Sequence, residues 1–129
     1  MKLDVDDMCF ACGRSNPIGL KLQFRFEGDD YVTEFDVKPE YQGWTGIVHG
    51  GLLATVLDEA MARLLWEKGL NAITGRLTVR YHRPLSIGDK VQVRGRITKQ
   101  RPPVIETTAE AVKDDGTVVA EAGAVSMEV

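Results

Sequence analysis

Residues 46–69, GIVHGGLLATVLDEAMARLLWEKG, hold the one long helix this chain can form. No Gly or Pro interrupts Leu52 to Lys68, and Leu53, Val56, Leu57, Ala60, Met61, Leu64 and Leu65 recur at helical spacing. Gly69 fits the left-handed stop after the last turn. Everything else that is periodic alternates with period two, so a single amphipathic helix has only sheet to bury its apolar stripe against.

Before the helix, residues up to Gly19 are irregular, punctuated by Gly13, Pro17 and Gly19. LKLQFRF then sets Leu20, Leu22, Phe24 and Phe26 against Lys21, Gln23 and Arg25. EGDD (27–30) is a turn signal, and YVTEFDV sets Tyr31, Phe35 and Val37 against Glu34 and Asp36. After the helix, AITGRLTVRYHRP sets Ile73, Leu77, Val79 and Tyr81 against Thr74, Arg76, Arg80 and His82. VQVRGRI, VIETTAEAV and TVVAEAGAVSMEV follow, joined by short turns that favour consecutive antiparallel pairing. The order is β-β-α-β-β-β-β, an α+β class in which one antiparallel sheet wraps one helix. A single domain over 1–129 is expected, with open sheet edges that favour dimerisation.

The net charge of −3 argues against general nucleic-acid affinity, which needs a basic footprint. The longest apolar run is too short for a bilayer span. MKLDVDDMCF places acids where a signal peptide has a basic region and an apolar core, so a cytoplasmic location with reduced cysteines is expected.

Chemistry concentrates at the helix start. Gly50 and Gly51 fall in or just before the first turn, where backbone N–H groups lack intrahelical partners and a ligand can come close. Such groups suit a carbonyl oxygen gaining negative charge, although a glycine pair also makes a simple tight entry turn. His49 is a cap residue, a packed side chain or a participant in proton transfer. Glu59 has Arg63 four residues on and reads as a solvated surface pair. Asp58 has Ala54, Met61 and Ala62 as helical neighbours and no cation. It is either an exposed flank acid or a carboxylate facing another subunit, in which case it is an acid/base or nucleophile candidate.

VHGGLLATVLDEA, a following strand, the YHRPLSIGDKV turn and the opening MCFACGRSNPIGLKLQF together resemble the hotdog-fold acyl-CoA thioesterases of the phenylacetic-acid-degradation (PaaI-like) type. The resemblance runs over nearly the whole chain. It implies a hotdog fold, a homodimer pairing again into a homotetramer, and hydrolysis of acyl-CoA at the dimer interface without metal or other cofactor. It further implies that Gly50 offers its N–H to the thioester carbonyl, with Gly51 beside it. Asp58, from the partner subunit, serves as nucleophile or general base. His49 holds the thioester or orients water, and Thr74 positions the water. Where many members carry an Asn before the His, this chain reads Gln42-Gly43-Trp44, so Gln42 takes that role or the role is absent.

Coenzyme A is anionic, and an acidic protein needs a local basic patch to hold it. Arg80, His82 and Arg83 are the candidates on the resemblance, with Lys99 and Arg101 near them in sequence order only. Tyr41, Trp44, Leu57 and Met61 are expected to shape the acyl pocket. Two rivals share the fold: a non-catalytic acyl-CoA-binding module, which more often brings a DNA-binding segment for which 129 residues leave no room, and a 3-hydroxyacyl-thioester dehydratase. Cys9-Phe-Ala-Cys12 has the spacing of half a zinc knuckle. By Cys and His count a site would need ligands from another subunit, so a compact turn packing the N-terminal segment is the expectation.

Overall fold

The computed structural model describes residues 1–129. Its elements are β1 (Phe24–Glu27), β2 (Asp30–Asp36), a single 3-10 turn (Pro39–Tyr41), α1 (Gly50–Glu67), β3 (Ala72–Tyr81), β4 (Lys90–Arg101), β5 (Val104–Lys113) and β6 (Val118–Glu128). The helix buries the seven residues its periodicity picks out. At its end the Gly69 N–H bonds the Trp66 carbonyl (2.9 Å) and the Leu70 N–H bonds that of Leu65 (2.8 Å), with Gly69 at φ +78°. This paired closure needs a left-handed residue, so glycine stops the helix there.

Six antiparallel strands form one sheet in the order β1-β2-β4-β5-β6-β3. The sheet wraps the helix, which is the hotdog architecture. Valines 91 and 93 of β4, Ala109 and Ala111 of β5, and Ala120, Ala122 and Ala124 of β6 share one core cluster with the helix stripe. Gly95 lets the two layers come close: a Cβ there would lie 2.4 Å from the Ala60 carbonyl oxygen.

Consecutive pairing holds for β1-β2 and for β4-β5-β6 but fails for β3. That strand crosses to the far edge and pairs with β6, while β4 pairs with β2. The His82–Asp89 connection is tied down on its way back. The Val48 N–H bonds the Leu85 carbonyl (2.8 Å), and Ile47 bridges Ser86. Those contacts are long-range and have no local sequence signal.

β1 and β3 also depart from simple alternation. β1 starts at Phe24 rather than Leu20, because the Leu20 and Leu22 N–H groups bond the carbonyls of Phe10 and Ala11 in the N-terminal segment, with Lys21 at φ +53° between them. In β3 the register shifts between Thr74 and Arg76. Past that bulge, Leu77, Val79 and Tyr81 oppose Ala124, Ala122 and Ala120, and Thr74 opposes the buried Ser126 on the same side. Simple alternation would have put Thr74 with the arginines; the bulge turns it onto the helix-facing side.

Candidate active site

The helix start is held from behind. The His49 N–H bonds the Tyr41 carbonyl (2.7 Å), and Tyr41 in turn stacks on buried Phe35 with centroids 5.6 Å apart. Gln42 uses its side-chain oxygen to accept the Gly46 N–H (2.9 Å), which closes the loop. Extended backbone at His49 (φ −66°, ψ 122°) then turns into the helix, and its Nδ1 accepts the Gly51 N–H at 3.0 Å. His49 is therefore the N-cap. An Nδ1 that accepts leaves the proton on Nε2, so this exposed side chain presents an N–H donor to solvent.

The two glycines part company here. The Gly51 N–H is consumed by the cap, contrary to the expectation that it also serves a ligand. No backbone or side-chain group accepts the Gly50 N–H, leaving it as the free donor of the first turn. Its carbonyl accepts the Tyr81 hydroxyl at 2.6 Å, a contact unforeseen in sequence because it joins residues 31 apart.

Beside this N–H runs a groove of about 420 Å³, lined by Trp44, Ile47, Gly50, Tyr81, His82 and Arg83 among others. Trp44 is 83% exposed at its rim. Leu57 and Met61, expected in an acyl pocket, are instead fully buried in the core, since they fall on the helix stripe facing the sheet. Nor does the basic cluster stay together. His82 and Arg83 line the groove, and His82 Nε2 lies 3.4 Å from Glu121 Oε1. Arg80 points to the other face of the sheet, into a separate cavity with Arg94, Arg96, Glu110 and Glu121. Alternation sets Arg80 on the face opposite Tyr81, and β3 ends at Tyr81, so His82 and Arg83 follow the connection toward the groove, with His82 still reaching Glu121 at the edge of Arg80's cavity. Lys99 and Arg101 are also remote: pairing aligns Gln100, Ile105, Ser126 and Thr74, so they mark the end of the sheet opposite the helix N-terminus.

Asp58 sits eight residues along the helix from Gly50, about 12 Å at 1.5 Å per residue. Its Oδ1 is buried without a hydrogen-bond partner. Burial, and next the Glu59 charge, push its carboxyl above the ordinary range, while the Thr74 hydroxyl pulls it back. A carboxylate that is half-buried, underbonded and accompanied by one hydroxyl is poised to accept a proton. Thr74 faces it only because of the β3 bulge.

Glu59 is not the solvated partner of Arg63. It accepts from Cys9 Sγ at 3.4 Å, while Arg63 pairs with Glu67 at 3.2 Å and also reaches Cys12 Sγ at 3.6 Å. The N-terminal segment folds over this flank of the helix and takes Glu59 away from its helical neighbour. As expected, Cys9 to Gly13 is a compact turn, with the Gly13 N–H on the Cys9 carbonyl (2.8 Å).

No helix is long and apolar enough to cross a membrane. Among solved structures, PaaI from the phenylacetic acid degradation operon of E. coli superposes with a TM-score of 0.79 at 22% identity, covering 85% of this chain and 80% of that one. The smu.793 protein of Streptococcus mutans UA159, solved bound to acetyl CoA, gives 0.78 at 18% identity over 84% of this chain and 88% of its own. In sequence, human acyl-coenzyme A thioesterase 13 is 27% identical over 93 residues, 70% of this chain; the match spans 66% of that protein's length. The family model described as the thioesterase superfamily matches residues 45–120, from the loop before the helix into β6 and more than half of the chain. This chain belongs to the thioesterase superfamily.

Proposed function

We propose that the protein hydrolyses acyl-CoA thioesters in a site assembled from two copies of the chain. One observation carries this reading: the free Gly50 N–H and the underbonded Asp58 carboxylate belong to residues eight positions apart on one rigid helix, a backbone rise of about 12 Å. They cannot meet one carbonyl carbon within a single chain. Beside both lies the open edge of β3, where Leu77 and Tyr81 turn toward the helix side yet remain 39% and 50% exposed. Apolar side chains on an unpaired strand edge fit a second copy laid edge to edge, which brings the partner's acid to this protomer's helix start.

In that site the thioester carbonyl oxygen accepts from the Gly50 N–H, aided by the positive end of the helix. In this reading His49 supports the same oxygen through its Nε2–H. The carboxylate of Asp58, from the other copy, attacks the carbonyl or takes a proton from an attacking water that Thr74 holds. Collapse of the tetrahedral intermediate expels the coenzyme A thiolate. His82 and Arg83 meet its anionic portion along the groove. Support for the substrate class comes from family membership, from the acyl-CoA thioesterase relatives and from the acetyl CoA complex of a similar fold. Pairing of dimers into a tetramer and a cytoplasmic location belong to the same proposal. Gln42, with its oxygen committed to Gly46, keeps only its amide N–H₂ for the ligand.

Thiol release from a panel of acyl-CoAs, with complementation, tests the reading. Gly50→Pro and Asp58→Asn should each be inactive. Unfolded together and refolded, they should regain about a quarter of wild-type activity, because half of random dimers hold one intact site of two. No recovery would place the whole site within one chain. If acyl-CoAs bind and none turns over, the protein is a binding module.

A further inference from the structure

Cys9 Sγ, Cys12 Sγ and a carboxylate oxygen of Glu59 all lie within 4.8 Å of one another, at partly buried positions on the flank of the helix next to Asp58. The turn that gathers the two sulfurs is tight. A Cβ on Gly13 would lie 2.5 Å from both the Asp7 carbonyl oxygen and the Cys9 nitrogen, so the backbone doubles back on Cys9 directly after Cys12. The third donor comes from the helix and was hidden in sequence 47 residues away. Ligands around tetrahedral zinc stand about 3.8 Å apart for a bond of about 2.3 Å. The Cys9 Sγ to Glu59 Oε2 distance of 3.4 Å is already near that edge.

We propose that Cys9, Cys12 and Glu59 form a three-ligand site for a thiophilic divalent cation, zinc above all, with water or an external donor in the fourth position. Two thiolates and a carboxylate carry three negative charges, and Arg63 at 3.6 Å from Cys12 Sγ returns one positive. A divalent ion brings the cluster to neutrality. Binding releases the two thiol protons, replaces the single Cys9 to Glu59 hydrogen bond with three metal bonds, and leaves Arg63 as an outer donor to the Cys12 sulfur. The ion clasps the N-terminal segment to the helix one residue from Asp58. The chain therefore supplies three donors itself, where cysteine and histidine alone supply two.

The test is titration of Co²⁺ into reduced, chelator-stripped, dialysed protein. One equivalent per chain should raise a thiolate-to-cobalt charge-transfer band together with visible bands of tetrahedral intensity, and Zn²⁺ should bleach both. Cys12→Ser should abolish the charge-transfer band or leave a much weaker one, and Glu59→Gln should weaken affinity by about tenfold or more. Absence of the band in folded, reduced wild type overturns the site. A band and affinity unchanged in Glu59→Gln remove Glu59 from the ligand set and overturn the assignment as made. Preferential formation of a Cys9–Cys12 disulfide, with no Co²⁺ bound after reduction, would show a redox pair instead. The readout is spectroscopic, so it stands or falls independently of thioester hydrolysis.

Discussion

Gly50→Pro separates the backbone donor from every other function of the helix start. The Gly50 N–H has no partner within the fold, so its removal sacrifices no structural hydrogen bond. Proline is favoured at the first helical position. The preceding residue must then be extended, and His49 already is, with ψ 122° inside the window that proline demands. A Cβ at this position first meets the Tyr81 ring at 3.5 Å, ordinary contact. Stability should thus change by less than about 1 kcal/mol, and the His49 cap should persist. Loss of one oxyanion donor costs on the order of 10²–10³ in kcat, about 2.7–4 kcal/mol of transition-state stabilisation. Gly50→Ala, which keeps the N–H and makes the same 3.5 Å contact, should hold near wild-type turnover. The assay is thiol release under saturation for both variants, alongside thermal melting. A Gly50→Pro protein that melts like wild type and turns over within about threefold of it would refute the oxyanion role.

Asp58→Asn should lower kcat by about a hundredfold or more while Glu59→Gln retains activity. Because burial holds the Asp58 carboxyl above its ordinary range, the folded chain binds that proton more tightly than the unfolded chain does. The resulting stability is fully present below the unfolded-state pKa and is lost as pH rises through the folded value. At neutral pH the ionised group is a cost, so the inactive Asp58→Asn variant should melt higher than wild type; a lower Tm would contradict this. Thr74 pulls the same carboxyl down, so Thr74→Ala should move the acid limb of the kcat/KM profile to higher pH, and an unmoved limb would separate Thr74 from Asp58. Gly95→Ala places a methyl 2.4 Å from the Ala60 oxygen and 2.9 Å from its carbonyl carbon, both backbone, so the helix must lift from the sheet. Overpacking of that kind costs about 2 kcal/mol. An unfolding entropy of about 2.1 cal/mol/K per residue over 129 residues converts this to a Tm drop of about 7 °C. An unchanged Tm would mean the layers can separate freely.

What the amino-acid order determined by itself was local. Seven apolar residues at helical spacing specify which side of α1 is buried, Gly69 specifies where it stops, and His49-Gly50 marks its start; each depends on neighbours within one or two turns. The strands too are legible as strands, since period-two alternation is a local property. What only the tertiary structure decided was every pairing made across the chain. β3 crosses to the β6 edge and leaves β4 beside β2, a pairing no short turn encodes. A single bulge in that strand then reverses the side on which Thr74 falls and puts it against Asp58, since one extra residue inverts a period of two. The same holds at the two glycines, where the side-chain nitrogen of His49 chooses which N–H is left free. Glu59 lost its helical partner for the same reason: Cys9, 50 positions away in sequence, comes nearer in space than an alternative Arg63 already committed to Glu67.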